Sequence, residues 1–208
     1  MAHQHTAAGT GAGPRPSWAL ETAMALSMTV GRGAAARAVA DLAHVGPGDR
    51  VLDVGCGPGT AARVAAARGA HVTGADPSHV AVALARAISA ARRAAGVTWV
   101  EAPAEALPLE DGSVTVAWSL SAVHHWSDRQ QGLAELRRVL APGGRLVLVE
   151  RLSREGARGH GAHGLTTTQC EALTGELGDA GFVGVGATTR RMGRRTVTVV
   201  QAAVPDRS

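Results

Sequence analysis

Val51-Leu-Asp-Val-Gly-Cys-Gly-Pro-Gly59 places a short apolar run directly before a loop with three glycines. The apolar run is typical of a buried β-strand, and Thr60 begins an alanine-rich stretch that favours a helix. Glycines at such a junction let the chain turn tightly and let a ligand approach the backbone, while the helix N-terminus offers unpaired N–H groups. The stretch therefore predicts a strand–loop–helix unit with a ligand at its loop.

The rest of the chain alternates between strand and helix patterns, which predicts a parallel sheet with right-handed crossovers. The predicted strands are residues 50–54, 71–75, 97–101, 113–119 and 145–150. The predicted helices are residues 18–30, 33–44, 60–68, 76–95, a helix capped by Asp128, and residues 167–180.

The chain ends in a different pattern. Two further strands, residues 182–189 and 195–203, are separated only by Arg190-Arg-Met-Gly-Arg194, which is too short for a crossover helix. They must therefore pair as an antiparallel hairpin. The predicted fold class is α/β: a Rossmann-like, seven-stranded, mostly parallel sheet with a C-terminal antiparallel hairpin and helices on both faces.

Length and composition agree with one domain. The chain has 208 residues, of which 45% are hydrophobic, enough for one α/β core. We expect a disordered arm over residues 1–16 and a single domain over 17–204, with N-terminal helices over 17–48 and the Rossmann-like core over 50–204. No uncharged apolar run approaches the roughly 18 residues of a membrane span, and the N-terminus lacks a signal-peptide pattern. A cytoplasmic protein without a membrane partner is expected.

The basic composition does not indicate a nucleic-acid partner. All 21 basic residues are arginine, because the chain contains no lysine, and it contains no tyrosine. A net charge of +4 at pH 7 is weak for a protein that follows phosphates. The two cysteines, Cys56 and Cys170, lie far apart in sequence, so neither a disulfide framework nor a metal knuckle is expected.

Two carboxylates narrow the choice of ligand. Asp53 precedes the loop, whose spacing is G-x-G-x-G rather than the G-x-G-x-x-G of dinucleotide sites. A carboxylate there would repel a pyrophosphate but suits the ammonium group of an amino acid. Asp76 ends the second predicted strand, where an acid can accept hydrogen bonds from both ribose hydroxyls. An adenosine joined to a cationic amino-acid tail satisfies both acids, and that ligand is S-adenosylmethionine (SAM).

At this point the sequence resembles a family over residues 50–204: the small class I methyltransferases of the ubiquinone/menaquinone-biosynthesis (methyltransferase type 11) group. The landmarks are Val51-Leu-Asp-Val-Gly-Cys-Gly-Pro-Gly59, Val72-Thr-Gly-Ala-Asp-Pro-Ser78, Ala104-Glu-Ala-Leu-Pro108, Ser119-Leu-Ser-Ala-Val-His-His-Trp126 and Leu136-Arg-Arg-Val-Leu-Ala-Pro-Gly-Gly144. Together they are specific for the family but not for an acceptor within it.

The resemblance implies a set of SAM-binding positions. Asp53 and Gly55 would line the methionine part, beside the loop backbone at Gly57. Asp76 would hold the ribose, and Ser119 would present its carbonyl to the SAM amino group.

On the adenine side the resemblance implies contacts from Pro77, from the backbone of Ala104, and from the side chain or backbone of Glu105. The family's usual acid just before the Ala-Glu pair is here Pro103. The adenine amino group must therefore be hydrogen-bonded by a backbone group or by another side chain. Thr115 replaces an acid that is common in the fourth strand, and we expect this change to affect packing more than chemistry.

Candidate catalytic residues lie after the fourth predicted strand and at the end of the fifth. His124 and His125 lie at the carboxyl edge of the sheet, where ligands bind in open α/β folds. One imidazole would deprotonate or orient the acceptor; alternatively, the pair is an inherited packing and capping feature. Glu150 and Arg151 also reach the acceptor side, and their alternative interpretation is a solvated salt bridge.

Other polar clusters carry weaker predictions. His160 and His163 have a spacing that could bind metal, but a loop over the site is the preferred interpretation, and no metal site is predicted. The final arginines are expected to form a solvated hairpin turn, with an anion or RNA contact as the minority alternative: Arg190, Arg191, Arg194 and Arg195. Trp18 is the candidate to cover the site.

These observations predict SAM-dependent methyl transfer to a small-molecule acceptor, most often at oxygen. The alternatives are an RNA or protein methyltransferase of the same fold and a non-catalytic SAM-binding protein. A short-chain nicotinamide oxidoreductase is disfavoured, because its catalytic tyrosine and lysine are absent. The pocket is expected to be open, closed by a homodimer partner, or roofed by the N-terminal helices.

Overall fold

The computed structural model describes residues 33–157, 163–192 and 195–207. The predicted arm over residues 1–16 and the predicted helix over residues 18–30, with Trp18, lie outside the described residues.

Seven strands and five α-helices alternate along the described chain. The strands are β1 (Arg50–Val54), β2 (His71–Asp76), β3 (Val97–Glu101), β4 (Val114–Leu120), β5 (Leu140–Arg151), β6 (Val183–Met192) and β7 (Arg195–Ala203). The helices are α1 (Gly33–Leu42), α2 (Thr60–Ala66), α3 (His79–Ala91), α4 (Arg129–Val139) and α5 (Thr167–Asp179). A single 3₁₀ turn, Val123–His125, follows β4.

The strands form one sheet in the order β3-β2-β1-β4-β5-β7-β6. Strands β1 to β5 pair in parallel, whereas β7 runs antiparallel to both β5 and β6. This arrangement confirms the predicted seven-stranded, mostly parallel sheet with a C-terminal antiparallel hairpin. The chain moves outward in opposite directions from β1 and from β4, so the carboxyl ends of these two strands flank the crevice where open α/β sheets bind ligands.

Helices cover both faces of the sheet, as predicted. On one face, Leu136 of α4, Leu173 of α5 and Leu52 of β1 belong to one buried apolar cluster. On the other face, Val39 of α1 and Ala62 of α2 belong to a second buried apolar cluster, which also contains Val51 of β1. Because successive side chains of a strand point to opposite faces, β1 contributes to both clusters.

Strand β5 begins earlier than predicted. Residues 142–144 were expected to form a turn before a strand over 145–150, but the strand starts at Leu140. Its pairing with β4 jumps from Val114↔Leu140 to Val116↔Arg145. The Pro-Gly-Gly segment is thus accommodated as a bulge inside the strand, because extra residues on one strand can bend without ending the ladder.

Helix α3 is shorter than the predicted span of residues 76–95. Ser78 caps it, since its Oγ accepts the amide of Ala81 at 3.2 Å, so the helix begins after the Asp-Pro-Ser turn. The helix ends at Ala91, and Arg93 already has a positive φ of 49°. The chain therefore leaves the helix before Gly96, the residue expected to stop it.

Candidate active site

The loop between β1 and α2 has a backbone that favours glycine. Gly55, Gly57 and Gly59 have φ angles of 69°, 52° and 77°, in the left-handed region that other residues rarely adopt. The amides of Gly55 and Cys56 donate to the carbonyl of Ala75 at 2.8 and 3.0 Å. These bonds fix the loop against the end of β2.

Close packing also requires two of the loop glycines. A methyl group at Gly55 would lie 2.3 Å from Cβ of Ala122, and one at Gly59 would lie 2.1 Å from the indole of Trp99. A methyl group at Gly74 in β2 would lie 2.4 Å from the same indole. Gly55 thus lets the segment after β4 approach the loop, whereas Gly59 and Gly74 make room for a buried tryptophan.

Asp76 connects the loop to the end of β2. The amide of Gly57 donates to its Oδ2 at 2.8 Å, and the amide of Ser78 donates to its Oδ1 at 2.9 Å. Burial raises the pKa of Asp76, and the two amides oppose that shift in part. The carboxylate is half-buried, so it is held by the protein while part of its surface still faces the crevice.

Asp53 and Ser119 lie next to the crevice on neighbouring strands. Their exposed fractions are 2% and 0%. Asp53 is in register with Trp118, and side chains alternate along a strand, so Asp53 and Ser119 point to opposite faces of the sheet. Ser119 Oγ has no hydrogen-bond partner among the described residues.

Cys56 lies near both acidic groups of the site. Burial raises the pKa of its thiol far above the usual range, and the negative charges of Asp53 and Asp76 raise it further. The thiol therefore stays protonated at neutral pH and does not serve as a nucleophile. The structure brings the two predicted carboxylates together at the glycine loop.

Glu105 makes contacts that sequence reasoning did not predict. Its Oε1 accepts the hydroxyl of Ser127 at 2.9 Å and the amide of Asp128 at 3.0 Å. Burial would raise the pKa of Glu105, but these hydrogen bonds outweigh burial and lower the pKa. The carboxylate therefore ties the segment after β3 to the start of α4, where Asp128 Oδ1 accepts the amide of Gln131 at 3.0 Å, as the predicted cap requires.

The other residues expected near the adenine follow the ends of β2 and β3. Ala104 is buried, whereas Pro77 and Pro103 are exposed. The amide of Ala102 donates to the carbonyl of Asp76 at 3.1 Å. The segment after β3 is thus held beside the end of β2, on the side of the crevice where the adenine was expected.

A buried hydrogen-bonded pair lies at the carboxyl ends of β4 and β5. Oε2 of Glu150 lies 2.8 Å from Nδ1 of His124, and its Oε1 accepts the amide of Val123 at 2.8 Å. Glu150 is only 2% exposed, so its interpretation as part of a solvated salt bridge is wrong. Because an ionised carboxylate only accepts, this hydrogen bond requires the proton on Nδ1 of His124, and Nε2 is the ring nitrogen that Glu150 does not engage.

Two further imidazoles lie beside this pair. The ring centroid of His124 is 4.0 Å from that of His125 and 6.3 Å from that of His163. Burial and the charges of the other two histidines lower the pKa of His125, whereas the carboxylates of Glu150 and Asp76 raise it in part. His125 therefore lies within electrostatic range of both the glycine-loop carboxylate and the buried pair.

His124 also lines a cavity of about 340 Å³. It lies between the 3₁₀ turn, the segment after β5 and the starts of α4 and α5; its walls include Trp126, Arg129, Leu165 and Gln169. Its size falls within the range of small-molecule sites. His124 is thus a wall of a cavity large enough for a small acceptor.

Several predicted features lie elsewhere. Arg190, Arg191 and Arg195 are exposed in the C-terminal hairpin, where β6 continues to Met192 rather than ending at residue 189. Arg194 and His160 lie outside the described residues.

Among the described helices, none combines the length and the apolar character that crossing a membrane requires.

The comparison with a family model agrees with this fold and site. Residues 52–148 match the methyltransferase type 11 family, which is described as a methyltransferase domain. The matched segment runs from β1 into β5 and contains the glycine loop, Asp76 and the His124–His125 pair. Over these residues the resemblance stated from the sequence is confirmed.

Two curated relatives match about half of the chain. The demethylmenaquinone methyltransferase of Clavibacter sepedonicus is 42% identical over 125 residues, which are 57% of this chain and 46% of the relative. The 27-O-demethylrifamycin SV methyltransferase of Amycolatopsis mediterranei is 43% identical over 105 residues, 49% of this chain and 38% of the relative. Across such relatives the chain spans between 30% and 52% of their length.

A solved structure extends the likeness to nearly the whole fold. The SAM-dependent methyltransferase of Aquifex aeolicus has a TM-score of 0.75, with 88% of this chain and 98% of that chain covered. Its identity of 20% shows the fold alone. The family match and the shared fold agree with a SAM-dependent methyltransferase domain, for which SAM is the cofactor.

Proposed function

We propose that this protein transfers the methyl group of SAM to a hydroxyl oxygen of a small molecule. The observation that carries the proposal is the position of two polar units at one edge of the sheet. One is the glycine loop after β1 together with Asp76 at the end of β2. The other is the pair formed by His124, which follows β4, and Glu150, near the end of β5. The first suits the donor, and the second suits an acceptor that must lose a proton.

The chemistry of Asp76 fits a ribose. Each carboxylate oxygen accepts one backbone amide, and an ionised carboxylate oxygen can accept a second hydrogen bond. Two adjacent hydroxyls of a ligand can therefore bind without displacing Gly57 or Ser78 N–H. Charge-assisted hydrogen bonds of this kind are stronger than neutral ones.

The remaining SAM contacts surround Asp76. We assign the methionine part to Asp53 and to the loop backbone at Gly55 and Gly57, and the amino group also to the Ser119 carbonyl. The adenine is assigned to Pro77, Ala104 and Glu105. Since Oε1 of Glu105 already binds the start of α4, the backbone of this residue is the better candidate for an adenine contact.

The methyl group of bound SAM is already activated by its positively charged sulfur, and transfer leaves neutral S-adenosylhomocysteine. The protein therefore has mainly to align the acceptor with the methyl group and to exclude water. His124 receives the acceptor hydroxyl proton at Nε2, while Glu150 fixes the tautomer and stabilises the imidazolium that results. His125 orients the acceptor from the side of Asp76.

The acceptor is assigned to the cavity that His124 lines. A volume of about 340 Å³ suits a small molecule better than a macromolecular segment. The name of the Amycolatopsis relative specifies an oxygen acceptor on a small molecule, which supports the same choice here. Closure of the cavity by a second copy of the chain stays a prediction, and sedimentation of the full chain with and without SAM would test it.

The proposal is tested with methyl-labelled SAM offered separately with hydroxylated small molecules, with RNA and with protein. Transfer to a small-molecule oxygen, lost in the Asp76→Asn variant and kept in Glu171→Gln, is the expected result. Glu171 is an exposed residue of α5 and serves as the matched control. Transfer only to RNA or protein would overturn the acceptor class. SAM binding without transfer to any acceptor would instead identify a non-catalytic SAM-binding protein.

A further inference from the structure

We propose that His124, His125 and His163 form a binding site for a divalent transition-metal ion of the Zn²⁺ class. Each histidine offers one ring nitrogen, and these three atoms all lie within 4.8 Å of one another. The ligands come from two separate parts of the chain, the 3₁₀ turn after β4 and the segment before α5. The site was not predicted from the sequence, which suggested only the neighbouring His160 as a companion of His163.

The distances are close to those of a bound ion. A Zn–N bond of about 2.1 Å places the nitrogens of a tetrahedral site about 3.4 Å apart. The nitrogens must therefore approach one another by up to about 1.4 Å from their observed limit of 4.8 Å. His125 and His163 are exposed, so rotation of their side chains can supply this movement without disturbing the core.

Glu150 prepares His124 to be a ligand. Metal-binding histidines usually donate their other ring N–H to a carboxylate, which fixes the tautomer and orients the ring. Glu150 occupies this position at 2.8 Å from Nδ1 of His124, and its second oxygen is taken by the amide of Val123. Nε2 of His124 is therefore the nitrogen available to a metal, and Glu150 orients the ring through Nδ1.

The backbone on the other side of the site is also fixed. The hydroxyl of Ser153 donates to the carbonyl of His163 at 3.0 Å, and the amide of Leu165 donates to the carbonyl of Arg151 at 3.0 Å. A methyl group at Gly164 would lie 2.1 Å from that same carbonyl oxygen. His163 is thus presented from a segment packed closely against the end of β5.

The donor set selects the class of ion. Three neutral imidazoles suit Zn²⁺, Cu²⁺, Ni²⁺ or Fe²⁺, whereas Mg²⁺ and Ca²⁺ prefer carboxylate and carbonyl oxygen. The nearest carboxylate, Glu150, is already engaged on both oxygens. Three protein ligands leave a fourth position for water or for a polar group of a small molecule.

Metal binding has a consequence for the reaction proposed above. Nε2 of His124 cannot hold a metal ion and accept a proton at the same time. Zn²⁺ at saturation is therefore expected to slow methyl transfer, which would make the cluster an inhibitory site. This consequence rests on the proposed function, but the metal site itself does not, because binding is measured without any acceptor.

The test uses the full chain without an affinity tag, freed of metal with a chelator and titrated with ZnCl₂ by calorimetry and with CoCl₂ by visible absorption. We expect one ion per chain and an affinity that falls by at least about tenfold in His163→Ala and in His125→Ala. Both residues are exposed, so the variants should keep the thermal stability of the parent chain.

Two control variants test three histidines outside this cluster. His71 is exposed at the start of β2, at the opposite edge of the parallel strands, so His71→Ala should bind as the parent does. The sequence also contains His3 and His5, so the double variant His3→Ala/His5→Ala should likewise bind as the parent does. An absence of binding, unchanged affinity in His163→Ala, or loss of binding in the His3/His5 variant would each overturn the proposal.

Discussion

The amide of Gly57 donates a hydrogen bond to Oδ2 of Asp76 at 2.8 Å. The bond joins the glycine loop after β1 to the carboxyl end of β2, and the amide of Ser78 holds the other oxygen of the same carboxylate. The loop and the acid are therefore one structural unit. The sequence motif and the acid that follows it act together because each fixes the position of the other.

Gly55→Ala is predicted to destabilise the fold. The new methyl group would lie 2.3 Å from Cβ of Ala122, on a backbone with a φ of 69°. Overpacking of this kind costs about 1–3 kcal/mol of the free energy of unfolding, and the positive φ adds about 1 kcal/mol. Urea denaturation of the variant measures the loss.

The double variant Gly55→Ala/Ala122→Gly is the control for this prediction. Removing the Ala122 methyl group relieves the clash but leaves the unfavourable φ, so the double variant should recover part of the loss. If the two variants unfold at the same urea concentration, the contact between positions 55 and 122 does not contribute to the loss of stability.

Glu150→Gln is predicted to slow methyl transfer by about a hundredfold while leaving the KM for SAM unchanged. A glutamine can still accept the amide of Val123 through its oxygen, but its NH₂ would then face His124. The imidazole would have to accept at Nδ1 and carry its proton at Nε2, which is the wrong tautomer for a base.

Steady-state kinetics in the presence of a chelator check this effect, with the exposed Glu110→Gln as the control. An unchanged kcat in Glu150→Gln would show that the pair has a structural role only.

Both cysteines are predicted to resist alkylation in the folded protein. Burial and the neighbouring carboxylates raise the pKa of the Cys56 thiol, and burial raises that of Cys170. Since the thiolate is the reactive form, iodoacetamide at pH 8 should modify neither residue until the chain is unfolded. Mass spectrometry of the native and the denatured protein reports the sites, and rapid labelling of native Cys56 would contradict its described environment.

The fold was predictable because its signals are local. The apolar run before the glycine loop fixed β1, and the short Arg190-to-Arg194 connection required an antiparallel hairpin. The start of β5 was missed, since the sequence Pro142-Gly-Gly is typical of a turn and nothing local shows that neighbouring pairing continues across it. Tertiary pairing overrode the local signal there.

The candidate site was only partly predictable. Asp53 and Asp76 lie at the carboxyl ends of β1 and β2 in a recognisable motif, so their proximity could be inferred. The approach of His163 to His124 depends on how the segment before α5 packs against β5, and no spacing in the sequence reports that packing. The contact of Glu105 with the start of α4 is likewise a tertiary contact without a local signal.

The most direct measurement of the central claim is calorimetric binding of SAM to the parent chain, to Asp76→Asn and to the control Glu171→Gln. The account predicts binding to the parent and to the control alike. It predicts at least about a tenfold loss of affinity in Asp76→Asn, equivalent to about 1.4 kcal/mol, because the neutral amide removes a charged acceptor from the ribose. Equal affinity of Asp76→Asn and the parent chain, or no binding by the parent, would contradict the account.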